Sequence, residues 1–407
     1  MSALTVNGGA TLSGDIAVGG AKNAALPIIF ATLLTYGVST IENVPKILDV
    51  DVAIDIISEF GARVKRNNDA LVIDTTDLSY CVPSEKNVSK IRASSYLLGS
   101  CPSRFGRAQV MSFGGCNFEN RPIDMHLLAL TKLGAVISGN DIKANKLVGA
   151  DIIFDKISVG ATVNALLLAT GAAGKTRIFG YAREPHVYAL AEYLKTAGAE
   201  IEFSNECVTV VGKKLHGGSA RIIPDMIEAG TYLLISAATG SKLRVLGADG
   251  GQIESFMKDF SASGVGFSLS DGAIAPLGRV NSYFEITTGP HPAFPTDMQP
   301  QCAPLMSRCG GRITDNVWCG RFGYLNELAK FGLMHTRVKN SALISPSKLH
   351  SASVFATDLR GGAAALIAAL SCEGESVIKN AEIIDRGYED IVEKLCSVGA
   401  KIYREEI

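Results

Sequence analysis

Phe60-Gly61-Ala62-Arg63-Val64 reads as a helix end followed at once by a strand. Glycine one residue past a helix takes the left-handed backbone that other residues resist, and the alternating residues after it suit a strand. The run before it, Val50-Asp51-Val52-Ala53-Ile54-Asp55-Ile56-Ile57, is apolar on one helical face. The same signature recurs at Leu133-Gly134-Ala135-Val136, Ala197-Gly198-Ala199-Glu200-Ile201, Ser263-Gly264-Val265-Gly266-Phe267, Phe331-Gly332-Leu333-Met334 and Val398-Gly399-Ala400-Lys401-Ile402. Successive glycines are 64 to 73 residues apart, the scale of one helix-and-strands unit. Six such units predict an α+β architecture, with three units per domain.

The chain has 407 residues, enough for two or more domains. It is 47% hydrophobic and 19% charged, which supplies large cores and argues against disorder. A net charge of −1 gives no bulk electrostatic drive toward nucleic acid or a membrane surface, so neither is an expected partner. The nine cysteines are scattered and none forms a Cys-x-x-Cys pair, and the six histidines lack ligand spacing, so no metal is expected. Met1-Ser-Ala-Leu-Thr-Val lacks the pattern of a signal peptide and no apolar run is long enough to span a bilayer. The reading is a cytoplasmic protein with reduced thiols.

The chemistry centres on Arg104-Phe-Gly-Arg-Ala-Gln-Val-Met-Ser-Phe-Gly-Gly-Cys-Asn-Phe-Glu-Asn-Arg-Pro-Ile-Asp-Met-His126. Gly114-Gly115 gives Cys116 a flexible setting, and Pro122 stands near the start of a helix over Met125–Leu133. Arg104, Arg107 and Arg121 would favour a thiolate, while the alternative is a small buried hydrophobe. Lys22-Asn23 follows Gly19-Gly20, where backbone and ammonium can meet an anion, or where a solvated lysine simply starts a helix. Ser158 is a fair N-cap for a helix whose free N–H groups can receive phosphate. Pro292-Ala293-Phe294-Pro295-Thr296-Asp297 is a braced loop ending in a carboxylate that either positions an acid–base group or caps the next helix. Gly174-Lys175-Thr176 mimics the end of a P-loop, but the earlier glycine is missing and a strand follows, so it reads as a turn. No Gly-x-Gly-x-x-Gly unit calls for a nicotinamide cofactor.

These segments together resemble the UDP-N-acetylglucosamine enolpyruvyl transferases nearly end to end. The likeness rests on Gly19-Gly20-Ala21-Lys22-Asn23-Ala24-Ala25-Leu26-Pro27, Ile91-Arg92-Ala93-Ser94, the Cys116 loop, Ser158-Val159-Gly160-Ala161-Thr162, Pro292 to Gln299, Ala356-Thr357-Asp358-Leu359-Arg360 and Ile384-Asp385-Arg386-Gly387-Tyr388-Glu389. It implies two similar globular domains, each with helices inside a wall of sheets (an inside-out α/β barrel), closing over a cleft. The first would span 22–225 and the second 1–21 plus 226–407. It also implies transfer of the enolpyruvyl group of phosphoenolpyruvate to the 3′-hydroxyl of UDP-N-acetylglucosamine, the first committed step of peptidoglycan synthesis, with phosphate released and no cofactor. The expected partners are those two small molecules. Cys116 would protonate the methylene carbon, Asp297 would orient the hydroxyl and accept its proton, and Lys22 with Asn23 would bind the donor. Arg121, Arg360 and Arg386 would share the donor's charges. The sugar nucleotide would meet Arg92, Arg121, Pro122, Ile123, Asp124, Met125, Lys156, Ile157, Ser158, Val159, Asp297 and Val317, with Arg321 completing the anion clamp.

Some positions depart from the pattern. Cys319-Gly320 stand where the family has acidic and amide residues, Gly323-Tyr324 stand where the family has a histidine-containing segment, and Met226 stands where the family often has an arginine. Gly332-Leu333-Met334 has lost the usual Gly-Ala. These leave open transfer to another sugar nucleotide, or a non-catalytic paralogue that senses UDP-N-acetylglucosamine. Cys116 and Arg121-Pro122-Ile123-Asp124 argue against the related transferase that acts on shikimate 3-phosphate.

Overall fold

The computed structural model describes residues 2–115 and 122–406. Cys116 and Arg121, both named from the sequence, lie outside the described residues. The chain divides into two compact units: one begins at Gly20 and ends at Ile223, and the other combines the residues up to Gly19 with those from Pro224 onward. The boundaries read from sequence differ from these by two residues at each end.

In the first unit, the helices Lys22–Ala31, Leu97–Phe105 and Val159–Gly171 carry most of the core. Ala24 to Ala31 and Ala161 to Thr170 are buried without a break. A helix that is apolar all round must sit inside, and here the sheets cover it. One sheet orders Ser219–Arg221, Val38–Glu42, Ala70–Asp74 and Arg63–Asn67. A second joins Arg107–Gln109, Asp141–Lys143 and Val136–Ser138, and a third joins Asp151–Ile153, Lys175–Phe179, Cys207–Val211 and Glu200–Phe203. The strand Lys175–Phe179 bears out the expected strand in place of a P-loop helix, but it already includes Lys175 and Thr176, so the turn read there is confined to Gly174, whose φ is 91°.

The second unit repeats the plan with helices Met226–Thr239, Gln299–Met306 and Leu359–Ser371. The N-terminal strands Ser2–Gly8 and Ser13–Ala17 belong to its sheets: Ser2–Gly8 pairs antiparallel with Gly374–Lys379 and Lys401–Glu406, and Ser13–Ala17 pairs parallel with Lys242–Leu246. The third sheet orders Phe284–Thr288, Gly311–Asp315, Ser341–Ser345 and Met334–Val338.

All six repeat glycines adopt positive φ, from 85° at Gly264 to 104° at Gly198. Each is followed within two residues by a strand, beginning at Arg63, Val136, Glu200, Gly266, Met334 and Lys401. Gly332 keeps this turn although its Gly-Ala has become Gly-Leu.

Candidate active site

Asp297 is held by two arginines. Arg321 Nη1 lies 2.7 Å from Oδ1 and Arg360 Nη2 lies 3.1 Å from Oδ2. The arginine side chains are 5% and 2% exposed and Asp297 is 28% exposed, so the carboxylate is the wetter member of the cluster. The loop carrying it is pinned by Phe294, which is fully buried with its ring 5.8 Å from that of Phe256. Burying such a ring contributes about 2–3 kcal/mol. Gly289 N also donates to Phe294 O at 3.1 Å.

The next helix starts at Gln299 with Met298 at its cap and no side-chain capping bond, so capping is not what Asp297 does. Desolvation would push its carboxyl up, but Arg360 and then Arg321 outweigh this and hold it far below the usual carboxylate range. It stays ionised and is a weak base in this arrangement.

Arg360 sits in the first turn of Leu359–Ser371, whose cap Asp358 accepts from Arg360 N at 3.0 Å and Gly361 N at 3.2 Å. Its guanidinium carbon lies 5.2 Å from the Tyr388 ring centre. Burial opposes the charge, yet Tyr388 and Asp297 keep it fully protonated. Nε and Nη1 are buried and meet no hydrogen-bond partner among the described residues. A buried donor left unmet costs about 1–3 kcal/mol, more for a charged group, and these two donors are available to an anion. Arg386 ends the 3₁₀ turn Ala381–Arg386 and is half-buried.

In the first unit, Lys22 opens its helix and is only 12% exposed, which overturns the solvated-lysine alternative. Its ammonium lies 2.7 Å from Asp49 Oδ2. Asn23 and Arg92 are half-buried. Ser158 caps Val159–Gly171 by accepting from Ala161 N at 3.3 Å, while Lys156 and Ile157 are exposed just before it. Pro122 and Asp124 are exposed and Ile123 and Met125 half-buried around the start of Asp124–Lys132. That helix carries the buried His126, whose Nδ1 lies 2.6 Å from Asn164 Nδ2. An amide N–H can only donate, so Nδ1 accepts and Nε2 bears the proton. Burial first, then Arg92, pushes the imidazole down to about 4, with Asp124 opposing.

Four supporting residues escaped the sequence reading. Asp49 is 3% exposed and Asp315 is fully buried; both hold other site groups. Asp49 had a signal: it shares the buried helical stripe of Ala53 and Ile56. His126 had the same signal, sharing a stripe with Ala129 and Leu130. Thr296 and Asp315 had none beyond a carboxylate at a strand end.

The departures have structural counterparts. Tyr324 is buried and donates to Gln299 Oε1 at 2.7 Å, and Gln299 Nε2 donates to Arg321 O at 2.8 Å. The tyrosine thus helps fix the arginine's backbone. Cys319 is exposed, its carbonyl accepting from Arg337 Nη2 at 3.1 Å. Val317 is half-buried beside it. Among the described residues no group of three or more His, Cys, Asp or Glu is arranged to hold a metal. No helix there is long and apolar enough to cross a membrane.

The pair of three-unit folds is the architecture of solved carboxyvinyl-transferring enzymes. The profile of the EPSP synthase (3-phosphoshikimate 1-carboxyvinyltransferase) family matches residues 6–395, and the chain belongs to that enolpyruvyl transferase family. It is 41% identical to UDP-N-acetylglucosamine 1-carboxyvinyltransferase 3 of Caldanaerobacter subterraneus subsp. tengcongensis and 39% identical to UDP-N-acetylglucosamine 1-carboxyvinyltransferase of Halothermothrix orenii, each over 99% of both chains. It is 36% identical to UDP-N-acetylglucosamine 1-carboxyvinyltransferase 2 of Staphylococcus aureus, again over 99% of both. In fold it is similar to the enolpyruvyl transferase NikO from Streptomyces tendae, with a TM-score of 0.88 at 24% identity over 99% of both chains. It is also similar to EPSP synthase from Acinetobacter baumannii, with a TM-score of 0.73 at 16% identity over all of both chains.

Proposed function

We propose that this protein transfers the enolpyruvyl group of phosphoenolpyruvate to the 3′-hydroxyl of UDP-N-acetylglucosamine, with release of phosphate, in peptidoglycan synthesis in the cytoplasm. The observation that carries the reading is the buried Arg321–Asp297–Arg360 arrangement, in which Arg360 still has two donors to spend on an anion. The named full-length relatives support the acceptor.

The chemistry is addition followed by elimination. The hydroxyl oxygen attacks carbon 2 of the donor while carbon 3 gains a proton, and the tetrahedral ketal then loses a proton and phosphate. Cys116 is our candidate for the carbon-3 proton. Lys22, Asn23, Arg121, Arg360 and Arg386 are candidates for the donor's phosphate and carboxylate, where fixed positive charge stabilises the ketal. Arg92, Arg121 to Met125, Lys156 to Val159, Asp297 and Val317 are assigned to the acceptor site, and Arg321 to the anion clamp. Asp297 receives the 3′-hydroxyl as a hydrogen bond. Its two arginines weaken it as a base, which favours orientation first and proton acceptance only as the attacking oxygen turns acidic.

Phosphate release from phosphoenolpyruvate, measured with and without UDP-N-acetylglucosamine, tests the proposal. Release that depends on the sugar nucleotide supports it. Release only with a different nucleotide sugar supports the second reading, which the exposed Cys319 beside Val317 favours. Sugar-nucleotide binding without any release would replace the enzyme by a sensor.

A further inference from the structure

Asp315 ends the strand Gly311–Asp315 and is fully buried. Its Oδ1 accepts from Thr288 Oγ1 at 2.6 Å, Val317 N at 2.9 Å and Trp318 N at 2.8 Å. Its Oδ2 accepts from Thr296 Oγ1 at 2.7 Å. One carboxylate therefore ties two strand ends, the turn at Val317 and the residue next to Asp297. A carboxylate only accepts, so the single hydroxyl proton of Thr296 is committed to Asp315 and its lone pairs face outward. Arg321 Nη1, the nitrogen that meets Asp297, lies 3.4 Å from Thr296 Oγ1 and 3.2 Å from Thr296 O.

We propose that Thr296 and Asp315 are positioning residues for the reaction: Asp315 orients the Thr296 hydroxyl, and Thr296 sets the angle at which Arg321 meets Asp297. This rests on the reading of Asp297 as the group that receives the acceptor hydroxyl. Neither residue needs to touch a substrate. The same carboxylate fixes the backbone at Val317, so one anchor sets both the carboxylate's cation and a stretch assigned to the acceptor site. Small displacements at such a centre are costly, because the reacting atoms must meet within a narrow range of distance and angle.

Three single variants test it in the full-length enzyme: Thr296→Val, which keeps shape and deletes the hydroxyl, Thr296→Ser, which restores it, and Asp297→Asn as reference. Thr296→Val is expected to lower kcat by about ten- to a hundredfold. Arg321 Nη1 keeps Thr296 O and Asp297 but loses the Oγ1 contact that sets its angle, so Asp297 is held less firmly as an anion and the acid limb of kcat/KM moves to higher pH. Thr296→Ser is expected to recover both rate and limb. A merely structural role would lower the melting temperature and the active fraction and leave the limb and the KM for the sugar nucleotide in place. Asp315→Asn supplies a second route: its oxygen keeps the Val317 and Trp318 contacts while the amide can no longer accept from Thr296, and the same limb shift is expected. If Asp297→Asn is inactive while Thr296→Val and Asp315→Asn keep the wild-type rate and pH profile, the positioning proposal is overturned and the reading of Asp297 stands. If Asp297→Asn turns over normally, that reading itself fails.

Discussion

Arg360 spends one nitrogen on Asp297, with Nη2 3.1 Å from Oδ2, and keeps Nε and Nη1 buried without a partner among the described residues. A cation so placed costs folding free energy that the single ion pair does not fully return. Function is the reason to keep it. Arg360→Met is therefore expected to leave the melting temperature unchanged or raised, since Asp297 retains Arg321. The same variant should lose about a hundred- to a thousandfold in kcat/KM for phosphoenolpyruvate. Paired denaturation curves and donor kinetics check this. A variant that unfolds easily yet handles the donor normally would make Arg360 a structural residue.

Cys116 is argued from sequence and resemblance. Cys116→Ala should abolish turnover at neutral pH and leave UDP-N-acetylglucosamine binding, followed by calorimetry, within about threefold, because a missing proton donor affects the reaction and not acceptor affinity. Cys116→Asp supplies another proton donor and is expected to keep measurable rate. It should also escape the epoxide fosfomycin, which alkylates the matching cysteine in the family that this loop resembles. Mass spectrometry that found the fosfomycin adduct on any other cysteine would refute the assignment.

The pH dependence of stability has an identifiable source at His126. In the folded protein its imidazole is pushed down to about 4, first by burial and then by Arg92, from the 6.5 of a free side chain. Between those values the unfolded chain binds the proton that the folded one refuses, so stability is lost as pH falls through that window. At about 1.4 kcal/mol per unit, the loss from pH 6.5 to pH 5 is about 2 kcal/mol. Urea denaturation at the two pH values measures it, and His126→Gln should flatten the slope. An unchanged slope in that variant would assign the dependence to other groups.

The repeat was legible because it rests on local rules. A glycine past a helix and an alternating strand after it are sequence patterns, and all six glycines took positive φ. The apolar run from Ala161 to Thr170 likewise announced a helix with no wet face. What the sequence hid is long-range pairing. Asp297 looked equally like a helix cap until Arg321 and Arg360, 24 and 63 residues away, were seen to hold it. Asp315 is plain in sequence, since its role lies in four donors drawn from Thr288, Thr296, Val317 and Trp318. Asp49 and His126 stood on apolar helical stripes, and a polar residue on a buried face was a signal left unread.

Lys22 and Asp49 form another buried pair, 2.7 Å apart with 12% and 5% of their side chains exposed. Removing one charge takes from its buried partner the ion pair that offsets burial, so Asp49→Asn is expected to destabilise the protein by about 3 kcal/mol. It should also raise the KM for phosphoenolpyruvate, because the ammonium loses both its anchor and some of its drive to stay charged. Lys22→Met alone leaves Asp49 as a buried anion and carries a similar stability cost. In the double variant Lys22→Met/Asp49→Leu neither charge remains, and most of the stability should return while donor binding stays lost. That split separates the two duties of Lys22, since a purely structural pair would regain activity along with stability. Denaturation midpoints for the unchanged protein, Lys22→Met, Asp49→Leu and the double variant, with donor titrations on each, close the cycle and give the coupling directly.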